Sequence, residues 1–167
     1  SPLHLAAQNG HEEVIKVLLK YKADQLRKDG NNRTALHRAS LRGQAKVAEC
    51  LLGSELDRLL SDTSFSELAL DDNKAAADTT AGVVDLTDSY GYTALHLACI
   101  EGKTDVVRIL VEKGCANVGL QQQRGVHDDE DDKENEGKAE KDKKVRLKSY
   151  PIHMAAQGGH VEIMKIL

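Results

Sequence analysis

The sequence predicts an all-α solenoid, a stack of similar helix–turn–helix units. Three observations carry that reading. The run Thr93-Ala94-Leu95-His96-Leu97-Ala98, closed by Gly102, occurs three more times. The other copies are Ser1-Pro2-Leu3-His4-Leu5-Ala6 with Gly10, Thr34-Ala35-Leu36-His37-Arg38-Ala39 with Gly43, and Tyr150-Pro151-Ile152-His153-Met154-Ala155 with Gly159. The first two copies lie 33 residues apart, a period typical of units that cannot bury their apolar faces alone and must stack. Aromatic residues make up only 3% of the 167, with no Trp and one Phe, so the core must be built from the small aliphatic side chains that closely stacked helices need.

The first unit sets the pattern. Leu3, Leu5, Ala6 and Ala7 give a short apolar helix face, and Pro2 suits a first helical turn. Gly10 ends that helix, because glycine takes the left-handed closing position without strain. A second helix follows from about His11, with Val14, Ile15, Val17, Leu18 and Leu19 as its stripe. Glu12 and Glu13 at its start and Lys20 at its end complement the helix dipole. Asp29-Gly30-Asn31-Asn32 is a turn that leads into the next copy.

A 33-residue helix–turn–helix unit with this signature resembles the ankyrin repeat. The resemblance covers residues 1–52, 88–118 and 149–167. It divides the chain into repeat one (1–28, starting at its first helix), repeat two (29–52), an inserted and partly disordered finger (53–87), repeat three (88–118), a charged disordered insertion (119–148) and a truncated repeat four (149–167). The resemblance implies hairpin fingers between units, two of them with long insertions. Thr34 and Thr93 are 59 residues apart and Thr93 and Tyr150 are 57 apart, so 26 and 24 residues exceed the period. Within the first insertion, Leu56, Leu59 and Leu60 at helical spacing predict a short extra helix running on from repeat two. Ser61 to Ala81 reads as a polar loop, and Val83, Val84 and Leu86 as the start of the next finger. The second insertion holds Asp128 to Asp132 and then Lys141, Lys143 and Lys144, charge blocks that stay solvated.

Three residues depart from the family pattern. Arg38 stands where Leu5, Leu97 and Met154 stand, which weakens that helix face or makes the Arg snorkel. Lys22 stands where the family prefers Gly, and Tyr150 where it prefers Thr. The chain opens on a first helix and closes within a second. It therefore reads as a segment of a longer array with adjoining ankyrin repeats, marginal or aggregation-prone by itself.

The chemistry of sites is sparse. No Gly-x-Ser-x-Gly, phosphate-binding loop or dinucleotide fingerprint is present, so the chain reads as a non-enzyme without cofactor. His4, His37, His96 and His153 fall one per layer, without a second ligand at metal-site spacing, and no metal is expected. The resemblance gives them a structural role, hydrogen bonding within the turn and to the neighbouring repeat, alongside the closing glycines Gly10, Gly43, Gly102 and Gly159. Asp128 to Asp132 lacks the spaced oxygens of an EF-hand loop. Ser54 and Ser64, each with an acid three residues on, match acid-directed phosphorylation, a pattern common by chance.

The formal charge of −4 is uneven: residues 53–87 carry eight acids against two bases, residues 119–148 nine against eight, and the repeat body is mildly basic. No basic stripe marks a nucleic-acid partner. No apolar run reaches the ~18 residues of a membrane span. Cys50, Cys99 and Cys115 follow no disulfide or metal pattern and fit a reducing, cytoplasmic setting.

The resemblance implies a protein partner held on the concave surface. The positions in register are Gln8 and Asn9; Arg33, Leu41 and Arg42; Ser89, Tyr90, Tyr92, Ile100 and Glu101; and Gln157. Tyr90, Tyr92, Ile100 and Leu41 are apolar or aromatic at positions expected to be exposed. Two wider settings stay open: the cytosolic part of a membrane protein such as a transient-receptor-potential-type channel, or the substrate-selecting segment of a multidomain enzyme.

Overall fold

The computed structural model describes residues 1–61, 84–122 and 149–167. The loop expected at 61–81, Ser64 and the charge blocks between 128 and 144 lie at or beyond the edges of the described residues. The described residues form eight helices in four antiparallel pairs: α1 (Pro2–Asn9) with α2 (Glu12–Lys20), α3 (Ala35–Arg42) with α4 (Ala45–Ser61), α5 (Ala94–Ile100) with α6 (Thr104–Glu112), and α7 (Pro151–Gln157) with α8 (Val161–Ile166). No strand occurs among the described residues. The first helices pack in chain order, α1 on α3, α3 on α5 and α5 on α7, and the second helices form a parallel row behind them. This is an all-α solenoid.

The repeated string explains the packing. Leu3, Leu36 and Leu95 occupy one register and are all buried, as are the small residues Ala6, Ala39 and Ala98 that let neighbouring helices approach. The second helices contribute Ile15, Val47, Val106, Val107, Leu110 and Ile163, each at most 1% exposed. Gly10, Gly43, Gly102 and Gly159 all sit at positive φ between 69° and 78° and turn the chain from first to second helix. The residue after Gly43, Gly102 and Gly159 leads into the second helix and roofs the closing glycine of the preceding unit. A Cβ at Gly10 would lie 2.4 Å from Gln44 Oε1, one at Gly43 2.8 Å from Lys103 Cδ, and one at Gly102 2.5 Å from His160 Cε1.

Helix α4 runs on to Ser61, nearly twice the length of α2 or α6. The leucine spacing at 56, 59 and 60 thus belongs to a continuous helix. Val84 returns the chain to the core at 1% exposure. Ser54 Oγ donates back to Leu51 O and accepts from Gln25 Nε2, so this hydroxyl ties the first unit to the second.

Lys22 adopts φ 58°, a left-handed conformation that favours glycine. Cys115 adopts φ 49° at the matching place after the third unit, immediately before a buried or half-buried alanine.

Candidate functional site

Two finger tips are each organised by an aspartate. Asp29 Oδ1 accepts from the Asn31 and Arg33 N–H groups at 2.8 and 3.0 Å, and Asp88 Oδ1 accepts from those of Tyr90 and Tyr92 at 2.9 and 3.0 Å. The turn closes with Asn32 and Gly91 at positive φ. The second carboxylate oxygens reach outward. Asp88 Oδ2 accepts from Arg33 Nε at 2.9 Å with its side chain fully buried, joining two tips 55 residues apart in sequence. Asp29 Oδ2 accepts from Arg38. Arg38 therefore neither leaves a hole in its helix face nor snorkels into water; it folds back onto the tip of its own unit. Partial burial works to raise the Asp29 carboxyl, but the hydrogen bonds from Arg33, Arg38 and Asn31 outweigh it and hold it down to about 2.

The histidines lock the next layer inward. Thr34 N donates to His37 Nδ1 at 3.2 Å, and Thr93 N to His96 Nδ1 at 3.3 Å, with the threonine hydroxyls 2.8 Å from the same nitrogens. Because Nδ1 accepts from a backbone N–H, the ring proton belongs on Nε2. His4 Nε2 then donates to Arg33 O at 2.8 Å and His37 Nε2 to Leu86 O at 2.9 Å, each crossing to the next finger. Burial pushes both His37 and His96 below the ordinary histidine value; the Asp88 carboxylate pulls the other way on each. His153 receives the Tyr150 N–H at 3.2 Å but is exposed.

The expected partner-facing residues fall into two rows. Gln8, Leu41, Ile100 and Gln157 share one register along successive first helices; Asn9, Arg42 and Glu101 share the next. Asn9, Arg42, Glu101, Gln157 and Ser89 are exposed, Gln8 and Leu41 half-buried, and Ile100 is 37% exposed. Tyr90 is 56% exposed, with the Arg33 guanidinium 6.0 Å from its ring centroid. Tyr92 is half-buried and tilts against the His96 ring at 6.1 Å. Arg33 and Tyr92 are thus engaged by the scaffold, and Leu41 is less open than its helical position suggested.

Burial disfavours the thiolate at two of the three cysteines. Burial pushes the Cys99 thiol up to about 12. Cys50 is raised as well, by burial first and then by the Glu12 carboxylate. Among the described residues no group of three or more His, Cys, Asp or Glu could hold a metal ion. No described helix is long and apolar enough to cross a membrane.

The family model for ankyrin repeats (3 copies) matches residues 1–62, and that for the single ankyrin repeat matches residues 90–122. The chain belongs to the ankyrin-repeat family. It is similar to a transient receptor potential cation channel subfamily A member 1 homolog of Caenorhabditis elegans, 30% identical over 122 residues that cover 68% of this chain and 10% of the relative. The Homo sapiens channel of that name is 45% identical over 65 residues, 37% of this chain and 6% of the relative. The Arabidopsis thaliana E3 ubiquitin-protein ligase XBAT33 is 30% identical over 109 residues, 64% of this chain and 21% of the ligase. This ankyrin segment thus spans a tenth or less of the channels and about a fifth of the ligase.

The finger-tip aspartates were missed as structural residues. Their signal was present, since Asp29 and Asp88 both stand five residues before the capping threonine. That spacing reads as a turn and does not reveal the second oxygen's partner.

Proposed function

We propose that this ankyrin segment recognises a protein partner through its concave face and carries out no catalysis itself. The observation that carries the reading is the pair of register rows. Arg42, Glu101 and Ile100, with Tyr90 beside them, project from a frame whose turns are fixed by buried histidines and aspartates. A surface held in this way loses little entropy on binding. Tyr and Arg are also the types that dominate interface energetics.

The test is a pull-down with Arg42→Ala/Tyr90→Ala/Ile100→Ala, leaving Tyr92 in place because it packs on His96. The triple variant should melt within a few degrees of the wild type and lose the captured protein. Full recovery of every captured protein by a folded variant sinks the assignment to this face.

The matches to channel subunits favour one setting for the segment, the cytosolic ankyrin region of a cation channel; the ligase matches support a substrate-selecting segment instead. The complete transcript separates them: six apolar spans favour the first, ligase motifs the second.

A further inference from the structure

The exposed charges beside the closing glycines follow the register of the units. One position closes each first helix, and another is the second residue of each second helix. The first unit holds Asn9 and Glu13 there, the second Arg42 and Lys46, the third Glu101 and Asp105, and the fourth Gly158 and Glu162. The two middle units thus carry opposite charge at matching places, two cations on one and two carboxylates on the other. All four of these side chains are exposed. In the outer units the carboxylate is answered within its own helix, Glu13 by Lys16 at 3.0 Å and Glu162 by Lys165 at 2.8 Å. In the middle units no ion pair forms at these positions among the described residues. Glu49, one turn after Lys46, goes instead to Lys113 of the next unit, and Asp105 and Arg108 make no pair. Lys46 only adds, from further off, to the hold that Lys16 has on Glu12.

Neighbouring packed helices lie about 10 Å apart. That is roughly a Debye length at physiological salt, so the cationic step on the second unit and the anionic step on the third neutralise each other little. Both stay available to a third party. The Lys103 stem lies along Gly43 and brings another cation to the boundary of the two units. Leu41, half-buried, and Ile100, 37% exposed, precede Arg42 and Glu101 and give each step an apolar neighbour.

We propose that the middle of the concave face reads a peptide segment of mixed charge from its partner, with a carboxylate side chain set on Arg42 and Lys46, a cationic side chain set on Glu101 and Asp105, and an apolar residue against Ile100. This inference rests on the concave-face reading above and adds a polarity to it. The two charged residues of the segment stand about three positions apart if it is extended, or about seven if it is helical, since both spacings span about 10 Å. A segment with two acids at that spacing meets Glu101 and Asp105 as like charges, and one with two bases meets Arg42 and Lys46. A polyanion such as a nucleic acid is refused for the same reason: it suits the second unit and is repelled by the third.

Charge reversal with rescue tests the polarity. A library of short displayed random peptides is selected on the full chain, and the selected peptides should combine an acid and a base at one of those spacings. Affinity for such a peptide should fall ~10-fold with Arg42→Glu/Lys46→Glu and return when the peptide's acid is replaced by lysine. It should fall comparably with Glu101→Lys/Asp105→Lys and return only when the peptide's base is replaced by glutamate. If a reversal variant does not fold, the neutral variants decide: Arg42→Gln/Lys46→Gln should make the peptide's acid dispensable, and Glu101→Gln/Asp105→Gln its base. Binding that ignores the third-unit variants shows a plain anion site and overturns the proposal, as does rescue by either peptide substitution alike. Peptides lost with Arg42→Ala/Tyr90→Ala/Ile100→Ala that ignore every charge variant overturn the polarity and leave the binding face standing. Peptides that ignore that triple variant as well, or a library that yields no binder, overturn both.

Discussion

The second and third joints of this stack solve the same problem with different residues. Between the second and third units, two finger tips carry an aspartate that closes its own turn, and the fully buried Asp88 also binds an arginine from the neighbouring tip. Between the third and fourth units, the described residues include glutamine and tyrosine side-chain contacts, and His96 Nε2 has no hydrogen-bond partner among them. The difference separates two jobs that the family string combines. The threonine–histidine cap shapes its own unit and, through Nε2 of His4 and His37, reaches the next finger. The second oxygen of Asp88 fastens two units, whereas that of Asp29 holds Arg38 of its own unit.

The largest expected effect comes from removing the stronger fastening. Asp88→Ala should destabilise by roughly 3 kcal/mol, because it leaves a half-buried Arg33 unpaired and two turn N–H groups unserved. Gln122→Ala, at the weaker joint, should cost under ~1 kcal/mol in the same denaturant titration. Equal costs would mean that the two joints are equivalent after all.

Next in size are the caps. His37→Leu should cost ~2–3 kcal/mol, since Thr34 N–H and Leu86 O both lose a buried partner. His96→Leu should cost about 1 kcal/mol less, because its Nε2 has no bond to lose. Thermal melts of the pair check the order, and the reverse order would contradict the assignment of an unserved Nε2.

Acid probes the aspartate locks directly. The Asp29 carboxyl sits at about 2, below its ordinary value, so the folded state binds fewer protons than the unfolded chain in that range. Its contribution is complete above pH ~4 and is lost as the pH falls towards 2. Melting temperatures followed from pH 5 to pH 2 should fall less steeply in Asp29→Asn than in the wild type.

The smallest effects are gains. Lys22→Gly and Cys115→Gly relieve left-handed backbone at two unit ends and should each stabilise by ~0.5–1 kcal/mol in urea titrations. A loss at either site would mean that the side chain contributes more than the strain costs.

Much of the frame was legible in the sequence because it is periodic. Four copies of one string fix the layers, and Gly10, Gly43 and Gly102 mark where each first helix ends. Lys22 was recognisable as a departure, and its positive φ supplies the reason. The contacts between units were less legible, for geometric reasons. Arg33 and Asp88 meet across 55 residues, with an insertion between them, so no local pattern connects them. Arg38 was read against the apolar residues of its register, and its ion pair with Asp29 depends on the side chain folding back over the tip. Tyr92 and Leu41 were expected to be exposed from their own unit's helix and turn. Their half-burial depends on surroundings that a position along one helix does not report.

The closing glycines have a further consequence. Gln44, Lys103 and His160 present an amide, an aliphatic stem and an imidazole to the same kind of surface, a glycine without a side chain. One socket therefore accepts three different plugs. A change of chemistry at the start of one unit's second helix asks for no matching change in the unit before it. Neighbouring layers can then diverge independently, and an array can acquire a titratable residue such as His160 in one mutational step while the rest of its architecture stays the same.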